Sequence, residues 1–204
     1  MSLVIQTAPT AEPIAVADLK RFWGVDFGED DDRIAICATA ARVWVEHFTG
    51  RALINRTYDL YLTDFTPNRL GVIRLPYPPL SSVTSIVYTA TDGSSLATTL
   101  SSSVYSTDAY SEPGRIFLAY GQNWPSLYGQ EHAHEVRIRY VAGMAASASA
   151  LATAQRQNFI EAVSVVGRAF YENPSYMAEG QQYRNETAEM LLWSDRFLGE
   201  VDGL

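Results

Sequence analysis

The sequence contains one lysine and one cysteine. The first shortage argues against a basic nucleic-acid-binding surface, and the second excludes an intramolecular disulfide. Lys20 is the single lysine among 15 basic residues, and the formal net charge is −8. An acidic chain without a basic cluster is poorly suited to gripping nucleic-acid phosphates. Cys37 is the single cysteine, so no intramolecular disulfide can form, and a reducing cytoplasm is the simplest environment for this chain.

Long apolar runs are missing as well. One long uncharged run, residues 140–155, is diluted by Ser, Thr, Gly and Gln, which makes it too short and too polar to span a bilayer. The first residues, MSLVIQTAPTAEP, have neither the basic start nor the apolar stretch of a secretory signal. We therefore expect no association with membranes.

Signatures of catalysis are the third absence. The chain has no G-x-x-x-x-G-K-[ST], G-x-S-x-G, H-E-x-x-H or C-x-x-C motif. The segment EHAHE is the best metal candidate, because His132 and His134 would point the same way from a strand and Glu131 or Glu135 could join them. A solvated loop is the simpler interpretation, and a metal-dependent hydrolase is the alternative. We predict no catalytic residue, no metal and no cofactor.

The charge is distributed unevenly along the 204 residues. Residues 1–50 and residues 143–204 each carry a balance of −4, whereas residues 51–142 are neutral. The hydrophobic period changes at about the same positions, from helical to strand-like and back to helical. This coincidence divides the chain into three parts: an N-terminal helical part (1–54), an inserted β domain (55–142) and C-terminal helices that complete the helical domain (143–204).

The N-terminal part contains two predicted helices. In the first, within AEPIAVADLKRFWGV, Leu19, Phe22 and Trp23 lie on one side and Gly24 marks the end. The second helix is longer. Residues 30–32 are aspartates that can cap its start, and Gly50 marks its end. One apolar stripe at helical spacing predicts the buried face, and it consists of Ile34, Cys37, Ala38, Ala41, Val45 and Phe48. A second, weaker stripe consists of Ile36, Ala40, Val43 and His47. A helix that is apolar on two sides packs against two partners, of which the second can be another subunit.

The middle part consists of short apolar or alternating runs separated by turn residues, a pattern typical of an antiparallel sandwich or barrel. Asp92-Gly93 is a strong hairpin signal. The predicted strands are Tyr58 to Leu62, Val72 to Leu75, Val83 to Tyr88, Leu96 to Leu100, Val104 to Thr107, Ile116 to Tyr120 and Val136 to Val141.

The C-terminal part returns to helix. A helix is predicted from Thr153 to Tyr171, ended by Asn173-Pro174, and a short last helix is predicted around residues 190–197. The predicted fold class is therefore α+β, with a helical domain formed by the N- and C-terminal helices and an inserted antiparallel β-sandwich or barrel-like domain.

Two patterns in the β domain can be interpreted either as structural features or as binding sites. Arg74, Pro76 and Pro79 match an R-x-P-x-x-P ligand, although prolines at a strand entry explain the segment more simply. The second pattern is a set of aromatic residues that could form a sugar-stacking platform, although aromatics more commonly pack in a β core. These residues are Tyr105, Tyr110, Trp124 and Tyr128.

Several segments, taken in order, resemble one protein family. They are SLVIQTAP, PIAVADLK, ARVWVEHFTGRALI, IRLPYPPLSSVTSIVY, SEPGRI, YGQNWP, VRIRYVAGM and FYENP, and together they span most of residues 2–175. The chain resembles the head–tail connector (adaptor) proteins of long-tailed DNA phages and gene transfer agents, in the branch with an inserted β domain. The family often has a proline ahead of the third helix, where this chain has SALATAQRQ. LPYPPL recurs in the family as the connection into a strand, which favours a structural role of the prolines at a strand entry over a role as a ligand.

The resemblance implies a structural virion protein and not an enzyme. Such adaptors form a ring, usually of twelve copies, below the portal protein, extend the DNA channel and dock a stopper, neck or tail-completion protein beneath. The implied location is the head–tail junction of a particle made in the cytoplasm of a bacterial host, with DNA passing through without specific binding. A carbohydrate-binding or adhesin-like β module of a phage particle is the alternative.

Three groups of residues are expected to serve such a ring. The subunit interface is expected at Ile36, Ala40, Val43 and His47. Docking to the portal or to a neighbouring subunit is expected at Met190, Trp193, Phe197 and Leu198, and folding of this short helix back onto its own domain is the alternative. Repulsion of passing DNA from the channel wall is expected from Asp26, Glu161 and Glu172.

Overall fold

The computed structural model describes residues 1–65, 71–92, 96–129, 134–154, 156–175 and 184–197. The chain divides into two compact units. The β unit consists of Met1–Ala8 and Asn55–Gly143, and the helical unit consists of Pro9–Ile54 and the described part of Met144–Leu198. No helix in the described ranges is long and apolar enough to cross a membrane.

The described strands of the β unit are β1 (Ser2–Thr7), β2 (Arg56–Leu62), β3 (Ile73–Leu75), β4 (Leu80–Tyr88), β5 (Thr98–Thr99), β6 (Tyr105–Asp108), β7 (Gly114–Leu118) and β8 (Val136–Ala142). They form two antiparallel sheets, with strand orders β1-β2-β8-β4-β5 and β3-β7-β6. Strands β2 to β8 overlap the seven predicted runs, which confirms the α+β class. Both sheets are open in the described residues, so the barrel-like form is not observed. Gly93 of the predicted hairpin turn lies outside the described residues.

Strand β1 is an element that the sequence did not predict. The first residues belong to the β unit and not to the N-terminal helical part, because Ser2 pairs with Tyr61 and Ile5 pairs with Tyr58 in antiparallel register. Only three strongly apolar residues stand in this segment, which is too weak a local pattern to indicate a strand. Its partner strand lies about fifty positions later in the chain.

Three tyrosines stack in the core of the β unit. The ring of Tyr58 lies 5.3 Å from Tyr140 and 5.5 Å from Tyr77. The Tyr140 hydroxyl donates a 3.0 Å hydrogen bond to the carbonyl of Pro76, and burial raises its pKa well above the usual value. Pro76 and Pro78 are themselves buried, so this segment packs as the entry to β4 and does not form an exposed proline-rich ligand.

Gly143, at the end of β8, has a backbone that only glycine adopts easily. Its φ is +152°, and an added Cβ would lie 2.5 Å from the backbone nitrogen of Asn55. We therefore expect Gly143→Ala to destabilise the β unit by about 2 kcal/mol or more, measured by urea unfolding. Gly28→Ala is the matched control, because nothing lies within 4 Å of its Cβ position. Equal stabilities of the two variants would contradict the prediction.

The helical unit contains five α-helices in its described part. They are α1 (Val16–Trp23), α2 (Asp31–Thr49), α3 (Ala148–Thr153), α4 (Gln157–Glu172) and α5 (Glu186–Leu192), with a 3-10 turn at Trp193–Asp195. Gly24 and Gly50 end α1 and α2 in the left-handed conformation, at φ of 72° and 67°, as predicted.

Two local predictions in the helical unit need correction. Asp30 precedes α2, but its carboxylate makes no capping hydrogen bond. It accepts instead a 2.6 Å hydrogen bond from the Tyr171 hydroxyl. The helix predicted from Thr153 to Tyr171 begins later, at Gln157, and a separate short helix that the sequence did not predict, α3, precedes it and ends at Thr153. Ser147 caps α3 by accepting from the Ala150 amide at 3.2 Å.

The first apolar stripe of α2 forms the centre of the helical core. Five of its six residues are buried and Phe48 packs half-buried against them. Trp23 of α1 packs over Gly167 of α4, and its indole N–H donates to the Ser164 hydroxyl at 3.2 Å. Leu19 and Trp23 are buried as their spacing indicates, whereas Phe22, which was placed on the same side, is 55% exposed.

Candidate functional site

The second apolar stripe of α2 lies on the surface of the helical unit. Ile36 is 59% exposed and Val43 is 39% exposed. His47 is also exposed, and Ala40 is half-buried. Because nothing in the described chain covers Ile36 and Val43, this stripe is a candidate contact surface for another molecule.

The C-terminal segment, residues 186–197, packs one side against the helical unit. Ala188 and Leu192 are fully buried in its core. The Arg51 side chain donates to the Asp195 carbonyl at 2.6 Å, and the Phe197 amide donates to the Thr49 carbonyl at 2.7 Å. These contacts fix the position of the segment on its own domain.

The other side of the same segment is exposed. Met190 is 82% exposed and Trp193 is 65% exposed, while Phe197 is half-buried. Leu198, the fourth residue expected to dock, lies outside the described residues. The segment therefore folds back onto its own domain through one face, which is the alternative that the sequence left open, and presents an exposed aromatic and thioether surface on the other.

Trp193 is held in place by a stack that leads back to α2. The Arg196 guanidinium lies 5.2 Å from the Trp193 ring centroid and 4.7 Å from the Phe48 centroid. Phe48 in turn stacks on Trp44 at 5.3 Å, and Arg196 donates to the Phe48 carbonyl at 3.2 Å. The exposed indole is thus anchored to one flank of α2.

An apolar groove of about 710 Å³ lies in the helical unit. Its wall includes the segment before α1, with Pro13 and Ile14, and the exposed ring of Phe22. Helices α2, α3 and α4 also line it, with residues such as Ala35, Ala152 and Ile160. The sequence did not predict this groove, since it forms from small residues on four separate segments.

The charged residues on the groove are held by the unit itself. The Arg42 side chain donates to Glu12 at 2.8 Å and to Glu46 at 2.9 Å. Burial alone would lower the pKa of Arg42, but the hydrogen bonds and charges of Glu12 and Glu46 outweigh it and raise that pKa. Arg21 donates to Asp18 at 2.9 Å. The i, i+4 spacing of Arg42 and Glu46 is the sequence signal that could have revealed the buried pair.

The acidic residues expected on a channel wall are all exposed. Asp26 precedes α2, and Glu161 and Glu172 lie on α4. Glu172 accepts a 2.8 Å hydrogen bond from the exposed Arg168, so part of its charge is balanced locally. All three carboxylates are on the helical unit, which carries most of the negative charge of the chain.

The candidate metal residues do not form a cluster in the described part of the chain. Glu131 and His132 lie outside the described residues. His134 is exposed, with its ring 5.3 Å from Tyr61, and Glu135 is buried and accepts the Gly129 amide at 3.1 Å. Among described residues, no group of three or more His, Cys, Asp or Glu could hold a metal ion.

The four aromatics considered as a sugar platform have different environments. Trp124 stacks on the buried Phe65 at 4.8 Å, and both Trp124 and Tyr105 pack against the core of the β unit. Tyr110 is fully exposed and Tyr128 is 39% exposed. Tyr110 stands on a turn where Asp108 accepts from its amide at 3.0 Å, and the hydrogen bonds of Ser111 lower the pKa of Asp108. The rings of Trp124 and Tyr105 therefore pack within the β unit, and of the four rings only Tyr110 and Tyr128 are exposed.

Comparisons with known proteins identify the fold. No protein-family model matches the chain, and no curated protein matches it. A chain in the virion of a native gene transfer agent (GTA) particle is 23% identical, with a TM-score of 0.74. A chain in the neck of an empty GTA particle, computed with C6 symmetry, is 21% identical with a TM-score of 0.75.

A third solved chain, in the neck of a native GTA particle computed with C12 symmetry, is 22% identical with a TM-score of 0.72. Each of the three comparisons covers 100% of this chain and 99% of the other chain. The shared fold therefore includes both the helical unit and the β unit.

Proposed function

We propose that this protein is a head–tail connector (adaptor) of a phage or gene transfer agent particle, a structural protein and not an enzyme. The observation that carries this proposal is the full-length fold similarity to chains in GTA necks computed with C12 and C6 symmetry. In this role the copies form a ring, of twelve, below the portal protein. The ring extends the DNA channel and docks the stopper or tail-completion protein beneath.

The surface of the helical unit fits a protein that assembles. Large apolar side chains are exposed at the α2 stripe and on the C-terminal segment, and exposed apolar patches mark interaction sites. The net charge of −8 suits a channel through which DNA slides without specific binding. Synthesis in the bacterial cytoplasm and incorporation at the head–tail junction of the virion complete the proposal.

Electron microscopy tests this function most directly. Negative-stain images of the purified protein are expected to show rings. Images of its parent particle, with the protein immunolabelled, are expected to show the label at the head–tail junction. A particle that carries the protein elsewhere would overturn the proposal. Binding of the purified protein to a glycan array would favour the carbohydrate-binding alternative instead.

The α2 stripe is proposed as part of the subunit interface. Val43→Asp would bury a carboxylate at the contact without touching the core stripe. We expect the variant to remain folded, because Val43 is 39% exposed, and to lose ring yield by about tenfold or more in size-exclusion chromatography. Ser103→Asp is the matched control, since it adds the same charge at an exposed position of the β unit. Rings of Val43→Asp at wild-type yield would contradict the prediction.

Asp26, Glu161 and Glu172 are proposed to face passing DNA. Their charges act within roughly 10 Å at moderate salt, so replacing all three by the corresponding amides is expected to increase DNA retention by assembled rings. Co-sedimentation with linear DNA at low and moderate salt measures the change. A ring structure whose channel is neutral or lined by arginine would contradict this assignment.

A further inference from the structure

We propose that Trp193 and Met190 of one copy insert into the apolar groove of the helical unit of the next copy. This contact rests on the proposed function and specifies how adjacent copies in the ring meet. The contact would fill the groove of one copy and would cover the exposed side of the C-terminal segment of the other.

The positions of the two surfaces around α2 carry the inference. Ala35 and Thr39 line the groove, whereas Trp44 and Phe48 carry the stack that holds Trp193. Each pair, Ala35 with Trp44 and Thr39 with Phe48, is nine positions apart. Nine positions are about two and a half turns of an α-helix, so the groove and the Trp193 stack lie on opposite flanks of α2.

Opposite flanks are what a ring requires. A head-to-tail ring brings one face of a subunit against a different face of the next, and in a ring of twelve the two faces are only about 30° from being opposite. The groove is concave, and the Met190 and Trp193 side chains are largely exposed, so the two surfaces are free to meet in such a contact. No residue of the range 184–197 lines the groove of its own chain.

Size and charge also favour this occupant. The groove volume of about 710 Å³ falls in the ~300–1,000 Å³ range of pockets that enclose whole ligands, so an indole and a thioether side chain fit together. Glu12 and Asp18 on the groove are already bound by Arg42 and Arg21. An apolar occupant therefore leaves no newly buried charge without its partner. Ile36 and the groove residue Thr39 are three positions apart, about one turn of α2. The same neighbouring copy would therefore also cover part of the α2 stripe.

Chemical cross-linking between two variants that each carry one added cysteine tests the contact. Ser194→Cys lies next to Trp193, and Ser149→Cys lies at the groove; both serines are exposed. The native Cys37 is buried, and burial raises the pKa of its thiol, so it stays unreactive. A short bismaleimide is added to each variant alone and to their mixture, at concentrations at which the wild-type protein forms rings.

We expect cross-linked dimers in the mixture and about tenfold fewer with either variant alone. Adding Trp193→Ala to the Ser194→Cys chain should reduce the dimers about tenfold or more, since truncating a buried aromatic anchor has effects of that size. Ser103→Cys paired with Ser149→Cys is the control for random collision.

The outcomes separate this contact from the proposed function. Rings without mixture-specific dimers would overturn the groove contact and leave the ring intact, which would direct Trp193 to the portal instead. Dimers of the Ser194→Cys chain alone would indicate a symmetric contact and would also overturn it. Absence of both rings and dimers would overturn the contact together with the ring.

Discussion

Deleting residues 186–204 is expected to destabilise the helical unit by several kcal/mol. The deletion removes the buried Ala188 and Leu192 and exposes the core that they cover. It also removes the hydrogen bonds from Arg51 and Asn158 to Asp195, at 2.6 and 2.7 Å. Leu192→Ala alone should lower the free energy of unfolding by about 2–5 kcal/mol, because it leaves a cavity in a packed core.

Met190→Ala is the matched control for Leu192→Ala. Both residues lie on α5, but Met190 is 82% exposed and Leu192 is fully buried. We expect Met190→Ala to change the free energy of unfolding by no more than about 0.5 kcal/mol. Thermal and urea unfolding of the free protein measure both variants. A deletion of 186–204 that leaves the melting temperature at its wild-type value would show that the segment does not belong to the core.

This dual role changes how docking by the segment has to be tested. From the sequence alone, a segment that only docks could be deleted without affecting the melting temperature. Since the segment also completes the core, its deletion would abolish assembly merely by unfolding the helical unit. Substitution of the exposed Met190 and Trp193 separates the two effects, because these side chains contribute little to the folded unit and, in our proposal, much to the contact.

The fold was predictable where the pattern is local and repeated. Strands β2, β4 and β8 alternate or run apolar over several residues, and α2 carries a stripe at helical spacing between aspartates and Gly50. These signals depend on neighbours along the chain. Strand β1 could not be predicted, because its six residues contain only one short apolar run. They form a strand because they pair with β2, which lies far away in the sequence.

The candidate site was predictable only in part, for a similar reason. Spacing identified Ile36 and Val43 as apolar and outside the core stripe, and both are exposed. Spacing could not show that Phe22 would be exposed or that small residues of four segments would leave a groove. It also could not show which side of α5 is buried, because that depends on the surface of α4 and on the Thr49–Arg51 segment.

Arg42→Met is the second substitution with a large expected effect. Arg42 is 5% exposed and Glu46 is 4% exposed, and the arginine also binds Glu12. Removing the guanidinium leaves the carboxylates of Glu12 and Glu46, the second of them buried, without their cation. Breaking a buried ion pair from one side typically lowers the free energy of unfolding by about 3–5 kcal/mol, and we expect a loss of that order.

Arg168→Met provides the control that isolates burial. Arg168 and Glu172 form the same i, i+4 pair on α4, at 2.8 Å compared with 2.9 Å for Arg42 and Glu46, but both side chains are about half exposed. An exposed pair of this kind contributes about 0.3–0.5 kcal/mol, so Arg168→Met should unfold at nearly the wild-type urea concentration. Because the two substitutions are chemically identical, the difference between their unfolding free energies measures what burial of the Arg42 cluster adds. Equal losses in the two variants would mean that Glu46 finds water or another donor once Arg42 is gone, and that the cluster does not hold the segment before α1 against α2.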